Sequence, residues 1–424
     1  MVDIRTKDLN ILTPMTATSR LVADQDGGTG LHTADALRVY LDVAGSLTKQ
    51  FGAIGDDATL NDAAIALALA SGLRTIRVPS GVFRYSVPFT VPDGQRWVGQ
   101  GSYGTILRST FATGDCITLG VVSAMRDIGF RSTAQRSSGV TVRLKGNLAQ
   151  LLDFEIDDAY IGASIEGTSG AALVIAARIQ NGVIRCLGAI AGAGGIDIHN
   201  FASAEVSSVV VTGTLTGPQC DYGIRIRNGD TCIIGRINAT RVGRALYAAP
   251  DANENLFALN VTGCYFDSAA ASIDSAWIGG YGNVYNTLIA NTWFGLAGAN
   301  GCVLQPFGAG IVDGTTFTGC EFTDNTVSGL SANGTLCKNV VVTGGHSAGN
   351  AGAGLYFGAA QDFTVTGHRA GPVASRGPNG TGIVTNGAAN GYVITGNNLR
   401  GNTTAAMRDE ALAANKTVAS NLLT

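Results

Sequence analysis

The sequence predicts an all-β protein, a parallel β-helix of about 10 to 12 coils closed at its N-terminal end by one helix. Three observations carry this expectation. Two separate marks recur at a near-constant interval through most of the chain. Each interval holds two or three short Val/Ile-rich β segments and no helical pattern. The single clear helix lies ahead of the periodic region.

Taken in order, residues 1–50 lack the period. "LTPMTATSRLVADQDGGTGLHTADALRVYL" reads as a strand, a "DQDGG" turn and a short helix capped by Thr33. Residues 51–107 supply the helix and the first strands. Thr59 or Asn61 caps a helix carrying Ile65 and Leu69 at i and i+4, and Gly72 ends it in a left-handed conformation. The strand "RTIRV", a "PSG" turn and the strand "VFRY" follow. "GQGSYG", Gly99 to Gly104, satisfies a dinucleotide-binding pattern, yet it runs into the β segment "TILRSTF" instead of opening a helix, so it reads as a corner between strands.

Residues 108–424 carry the coils. Gly-led apolar tetrapeptides start at Gly139, Gly162, Gly195, Gly223, Gly301, Gly329, Gly354 and Gly382, at intervals of 23, 33, 28, 78, 28, 25 and 28 residues; 78 is three times 26. A second ladder, "VTG" and its variants, starts at Val211, Ile237, Val261, Ile289, Phe317, Val342, Val365 and Ile394, in steps of 23 to 29. One coil cannot bury its own inward Val, Ile and Phe, whereas stacking coils about 4.8 Å apart makes a continuous apolar column. Gly and Asn suit the corners, which need positive φ. The open end of such a stack exposes strand edge and core, and the helix is placed there as a cap. A further helical pattern is expected only in the final "AAMRDEALAA".

Composition excludes several function classes. The chain has 59 Gly, 9 Pro and 14% charged residues, with a net charge of -3 and no clustered Lys/Arg, so no nucleic-acid partner is expected. No run of about 18 apolar residues suggests membrane insertion, and the N-terminus has no secretory pattern. The eight cysteines are scattered without metal-ligand spacing and read as reduced, buried apolar residues. No metal or cofactor is expected.

"FGAIGDDATLNDAAIALALASGLRTIRVPSGVFRY", Phe51 to Tyr85, resembles the N-terminal signature of the pectate lyase-like superfamily: FGAxGDG, a D-rich helix start with AIxxA, and a strand ending in VPxGxY. "WVGQGSYGTIL" resembles the segment that follows it there. The sequence departs from the signature in "GDDATLND", where GDGxxDD is usual, and no catalytic motif of the family is apparent downstream. The resemblance implies a right-handed β-helix. Residues 1–50 resemble the small virion-anchoring modules that precede β-helices in bacteriophage tailspikes. That resemblance implies a receptor-binding tail protein, synthesised in the bacterial cytoplasm without a signal peptide and located in the virion. Its implied partners are a phage tail or baseplate protein through residues 1–50, a bacterial surface polysaccharide, and two further copies in a homotrimer. The alternatives are a binding-only tail fibre and a free polysaccharide lyase or glycoside hydrolase.

Alternate strand residues point outward, so equivalent positions on successive coils form exposed columns. In the "VTG" ladder, Cys264, Cys320, Phe266, Phe294 and Phe322 take the inward parity, which places Tyr265, Trp293, Glu321, His346, Arg369 and Asn398 outward. Rings for sugar C–H faces, with charged groups for hydroxyls and carboxylates, suit a glycan. In the Gly-led ladder, Arg143, Glu166, His199 and Arg227 form one outward column, and Asp197 and Arg225 stand beside it. Hydrolysis needs two carboxyl groups about 5 Å apart for retention, or about 6.5 to 9.5 Å for inversion. The candidates are Glu321 with Asp267, or with Asp324 in its place; the alternative set is Glu166, Asp197 and His199. Tyr265, Trp293, His346, Arg369, Arg225 and Arg227 are the candidate glycan-binding residues.

Overall fold

The computed structural model describes residues 20–25, 28–33, 44–168, 173–186, 190–213, 220–267 and 270–423. From Gly45 onward the described strands pair in parallel into a right-handed β-helix of about 13 turns. A typical turn contributes a strand to each of three walls, as Asn255–Thr262, Tyr265–Asp267 and Ala276–Ile278 do. The third wall is one sheet of 13 strands, running from Phe89–Val91 to Ala405–Asp409. The Gly-led tetrapeptides lie in it, and Arg244–Ala248 and Ala276–Ile278 fill the 78-residue gap.

The structure gives slightly more turns than the repeat marks do, for two reasons. The turns before Gly139 carry no Gly-led mark. The final turn was expected to be helical, but Ala405–Asp409 is a strand paired with Thr381–Thr385. Local helix preference loses there to the open edge of the preceding turn.

The helix forms at Asp62–Ala70, with Asn61 at its N-cap and Gly72 at φ +70 beyond its end. Asn61 does not cap through its side chain. Its amide instead accepts from the Ile54 N–H at 2.7 Å and donates to the carbonyls of Ile54, Thr59 and Arg84, tying the helix to the first turn. Ala64, Ile65 and Ala68 are buried while Leu67 is exposed, so the helix is apolar beyond its packed face. Gly45–Ser46 pairs with Thr75–Arg77, Asp56–Leu60 pairs with Gly81–Tyr85, and the helix packs on Phe89–Val91. It therefore replaces the third-wall strand of the first turn. Asp57, where the superfamily signature has Gly, sits at φ +59.

Gly99 to Gly104 is the corner between Arg96–Val98 and Thr105–Ser109, with Thr105 Oγ1 accepting from the Gln100 N–H at 2.9 Å. Arg20–Gln25 and Gly28–Thr33 form an antiparallel hairpin, so Thr33 ends a strand; the helix expected after it lies outside the described residues.

Inside the stack, Phe266, Phe294 and Phe322 are fully buried, with ring centroids 5.7 and 5.4 Å apart on successive turns. All eight cysteines are free and buried. From Val261 to Ile394 the "VTG" ladder stacks in one register. Its first two members do not: Ile234 is the partner of Val261, while Val211 stacks on Ala239 and so joins the Phe column, and Ile237 lies between strands. The corner between the second and third walls holds a buried asparagine ladder. Asn325 donates to Asn350 Oδ1 (2.8 Å), Asn350 to Asn379 Oδ1 (2.7 Å) and Asn379 to Asn402 Oδ1 (3.1 Å), and each also donates to a strand carbonyl. These corners use Asn for its amide, which satisfies backbone groups that no strand reaches.

Candidate functional site

The outward column is set by the corner before it. Gly263, Asn291, Gly319 and Gly367 all take positive φ, between 48° and 65°, and turn the chain from the first wall into the second. Cys264, Thr292, Cys320 and His368 then point inward, and the next residue of each turn faces out. Tyr265, Trp293, Glu321, His346, Arg369 and Asn398 are consecutive partners in this register.

Tyr265 is 58% exposed and meets the Trp293 ring edge-on, with centroids 6.2 Å apart. The Trp293 ring lies along the wall. A Cβ on Gly295 would come within 2.5 Å of it, and its indole N–H donates to Thr323 Oγ1 at 2.5 Å. The ring's position is thus fixed by the next turn. The guanidinium of Arg376 stands 5.5 Å from the Trp293 centroid and is ion-paired with Asp324. Arg376 belongs to the loop 371–380, two turns beyond Asp324, and this loop also accepts the Gly349 N–H at Gly377 O (2.8 Å). Glu321 is exposed, with His346 Nε2 3.9 Å from its carboxylate, and Arg369 donates to the Pro372 carbonyl. The column forms a shallow strip, with rings at one end, a carboxylate in the middle, and cations at the other end and on the loop.

Of the carboxylate pairs, Asp324 is held by Arg376. Asp267 pairs across the ladder with Gly295, which pairs with Thr323, so it stands two turns before Glu321 and two residues along. At about 4.8 Å per turn and 3.3 Å per residue, their backbones are about 12 Å apart. Side-chain reach has to close the remaining gap to an inverting separation.

The alternative set is arranged differently from the expected columns. Val140 pairs with Ile161, so Gly139 aligns two residues before Gly162, and Arg143 stands beside Ser164 in the column of Asp197 and Arg225. Glu166 and His199 are direct partners. Both are engaged locally: Arg143 binds Glu166 and also Asp115 (2.8 Å), and His199 Nε2 meets Glu254 at 2.7 Å. Asp197, 8% exposed, accepts from Arg225 at 3.1 and 2.7 Å and from Arg227 at 2.9 Å. Both of its carboxylate oxygens are therefore taken up by guanidinium N–H donors.

Two features escaped the sequence reading. Arg376 lies on a loop outside the period, and nothing in the sequence pattern brings it to Trp293. Further toward the N-terminus the same outward column holds Glu155, 3% exposed and bound by Arg185, which also binds Asp157 at 2.8 Å. Burial, and then the charge of Asp157, raises the neighbouring Asp158 carboxyl above its ordinary value. Among the described residues no group of three or more His, Cys, Asp or Glu could hold a metal ion, and no helix is long and apolar enough to cross a membrane.

No family model and no curated protein matches this sequence. Solved structures do. The A-module of mannuronan C-5 epimerase AlgE6 from Azotobacter vinelandii is 13% identical with a TM-score of 0.55, over 89% of this chain and 98% of that one. Tailspike protein 3 of bacteriophage CBA120 is 15% identical with a TM-score of 0.50, over 95% of this chain and 66% of that one. The Dettilon tailspike protein is 12% identical with a TM-score of 0.50, over 88% and 70%. At these identities the likeness is one of fold: this chain is a right-handed parallel β-helix of about 13 turns, and phage tailspikes and the epimerase share its parallel β-helix architecture.

Proposed function

We propose that this chain is a tailspike-like receptor-binding protein of a phage tail that binds a bacterial surface polysaccharide along the Tyr265 to Arg369 strip. The observation that carries the reading is the Trp293 platform. Its ring is held flat on Gly295 by the Thr323 hydrogen bond, with Tyr265 exposed beside it and Glu321, His346 and Arg369 following on successive turns. A sugar stacks its C–H face on a fixed ring and spends its hydroxyls on the charged groups alongside. In this reading residues 1–50 attach the chain to the tail or baseplate, and three copies assemble as a homotrimer. The tailspikes of similar fold support it.

Binding comes first and cleavage second, because Asp324 and Asp197 are engaged by arginines. If cleavage occurs, Glu321 with Asp267 is the preferred pair. The test uses purified capsule or lipopolysaccharide from the host. Trp293→Ala should weaken binding by about 1–3 kcal/mol. Glu321→Gln should remove any release of reducing ends or unsaturated uronates and spare binding. Unchanged affinity in the Trp293 variant would end the binding reading, and unchanged release in the Glu321 variant would end the catalytic assignment. Mass spectrometry of purified virions would test the location.

A further inference from the structure

The third wall carries a second cluster of rings and cations, separate from the Trp293 strip. Arg225, Tyr247 and Trp277 are partners on successive turns. The Arg244 guanidinium stands 5.2 Å from the ring centroids of both Tyr247 and Trp277. Trp277 stacks on Phe307 with centroids 5.4 Å apart and planes 25° from parallel, and Phe307 meets Tyr281 at 5.6 Å. Tyr281 is 65% exposed.

We propose that Arg244, Tyr247, Trp277, Phe307 and Tyr281 form a second glycan subsite, selective for a sugar that bears a carboxylate. Two features separate this cluster from a ladder that merely stiffens the wall. The first is charge. Arg143, Arg225 and Arg376 each hold a carboxylate, whereas Arg244 has none among the described residues and is oriented by two ring faces alone. A guanidinium fixed by stacking keeps its planar fork of N–H donors for a bidentate partner, which a sugar carboxylate fits. The second is exposure. A ring recruited only for packing would be covered, yet Tyr281, at the outer end of the stack, leaves most of its surface to solvent. A hexuronate could lay its C–H face on Tyr281 and Phe307 and turn its carboxylate toward Arg244. A neutral hexose would gain the ring contact and lose the fork.

This site rests on the proposed glycan-binding role for its biological setting, but its test is independent of the first strip. The chain has three tryptophans, and Trp97 is fully buried, so Trp277 and Trp293 can report separately. In full-length Trp293→Phe protein, titration with tetragalacturonate and with tetramannuronate should change the Trp277 emission saturably for at least one of them, and maltotetraose should not. Adding Arg244→Gln should weaken that binding about tenfold or more, the loss expected for a charge-assisted pair. Arg244→Lys should fall between, because it keeps the charge without the fork, and circular dichroism checks that both variants fold. If neither uronate changes the Trp277 emission, or if Arg244→Gln binds as tightly as its parent, the proposal is overturned. The Trp277→Phe counterpart reads Trp293 alone, so a response there without one at Trp277 leaves the first strip standing and removes the second.

Discussion

Asn350 offers a direct measure of what holds the turns in register. It is 1% exposed, and its Oδ1 accepts from both the backbone N–H of Asn325 (3.2 Å) and the Asn325 side chain (2.8 Å). Its Nδ2 donates to the Phe322 carbonyl (2.9 Å) and to Asn379 Oδ1 (2.7 Å). Asn350→Ala strands the buried Asn325 N–H, at about 1–3 kcal/mol, and removes further amide bonds worth about 0.5–1.5 kcal/mol each. The total loss should be about 5 kcal/mol. Asn350→Asp should cost more, since a carboxylate keeps the acceptor role but faces two acceptors it cannot serve. Guanidinium unfolding followed by circular dichroism and by Trp293 emission, one turn before Asn325, would report global and local loss together. Asn398→Ala, on the outward column, is the control and should stay within about 0.5 kcal/mol. A loss below about 1 kcal/mol for Asn350→Ala, or equal effects of Ala and Asp, would refute the assignment of the ladder as a register lock.

Burial holds His368 down at about 4, with Nδ1 2.8 Å from the Gly344 carbonyl and Nε2 3.1 Å from Ser347 Oγ. The unfolded chain takes up its proton near pH 6.5 and the native site only near 4, so this contribution is complete above 6.5 and falls away toward 4, by roughly 3 kcal/mol. His368→Gln should flatten the urea stability profile between those values; an identical slope would contradict the account. Burial pushes the Cys264 and Cys320 thiols up to about 11 and Cys337 up to about 12, so none of the eight cysteines should react with Ellman's reagent until the protein unfolds. Native labelling would show that the stack opens. Removing residues 1–43, a cut that spares the Gly45–Ser46 strand, should preserve the β spectrum and glycan binding and abolish incorporation into virions.

The repeat, the inward Phe and Cys positions and the outward Tyr265 to Asn398 column could be read from sequence because β parity and turn length are local quantities. The errors arose where a mark is not a register. Gly139 resembles Gly162 but sits two positions away from it in the ladder, which moved Arg143 into the wrong column. Val211 resembles Val261 but stacks with Phe266 through Ala239. Both slips are hidden in sequence because the loops between walls vary in length, while pairing fixes register by hydrogen bonds that no single residue type announces. The asparagine ladder was hidden for a related reason. Asn at a corner suggests positive φ, and only the geometry reveals that Asn325, Asn350 and Asn379 bond to one another. Arg376 was beyond reach altogether, since its place over Trp293 depends on how a long loop folds back.

That loop separates two properties that most folds tie together. Six residues link Thr323 to Leu330 and four link Ala348 to Ala353, but ten link Ala370 to Thr381. Lengthening such a link from four residues to ten costs only about 0.8 kcal/mol of closure entropy. The side chain that borders the Trp293 platform is therefore carried on a segment that can be exchanged or extended at little expense to the stack beneath it. Ligand preference can then diverge quickly between related chains while the coils that support it stay nearly unchanged.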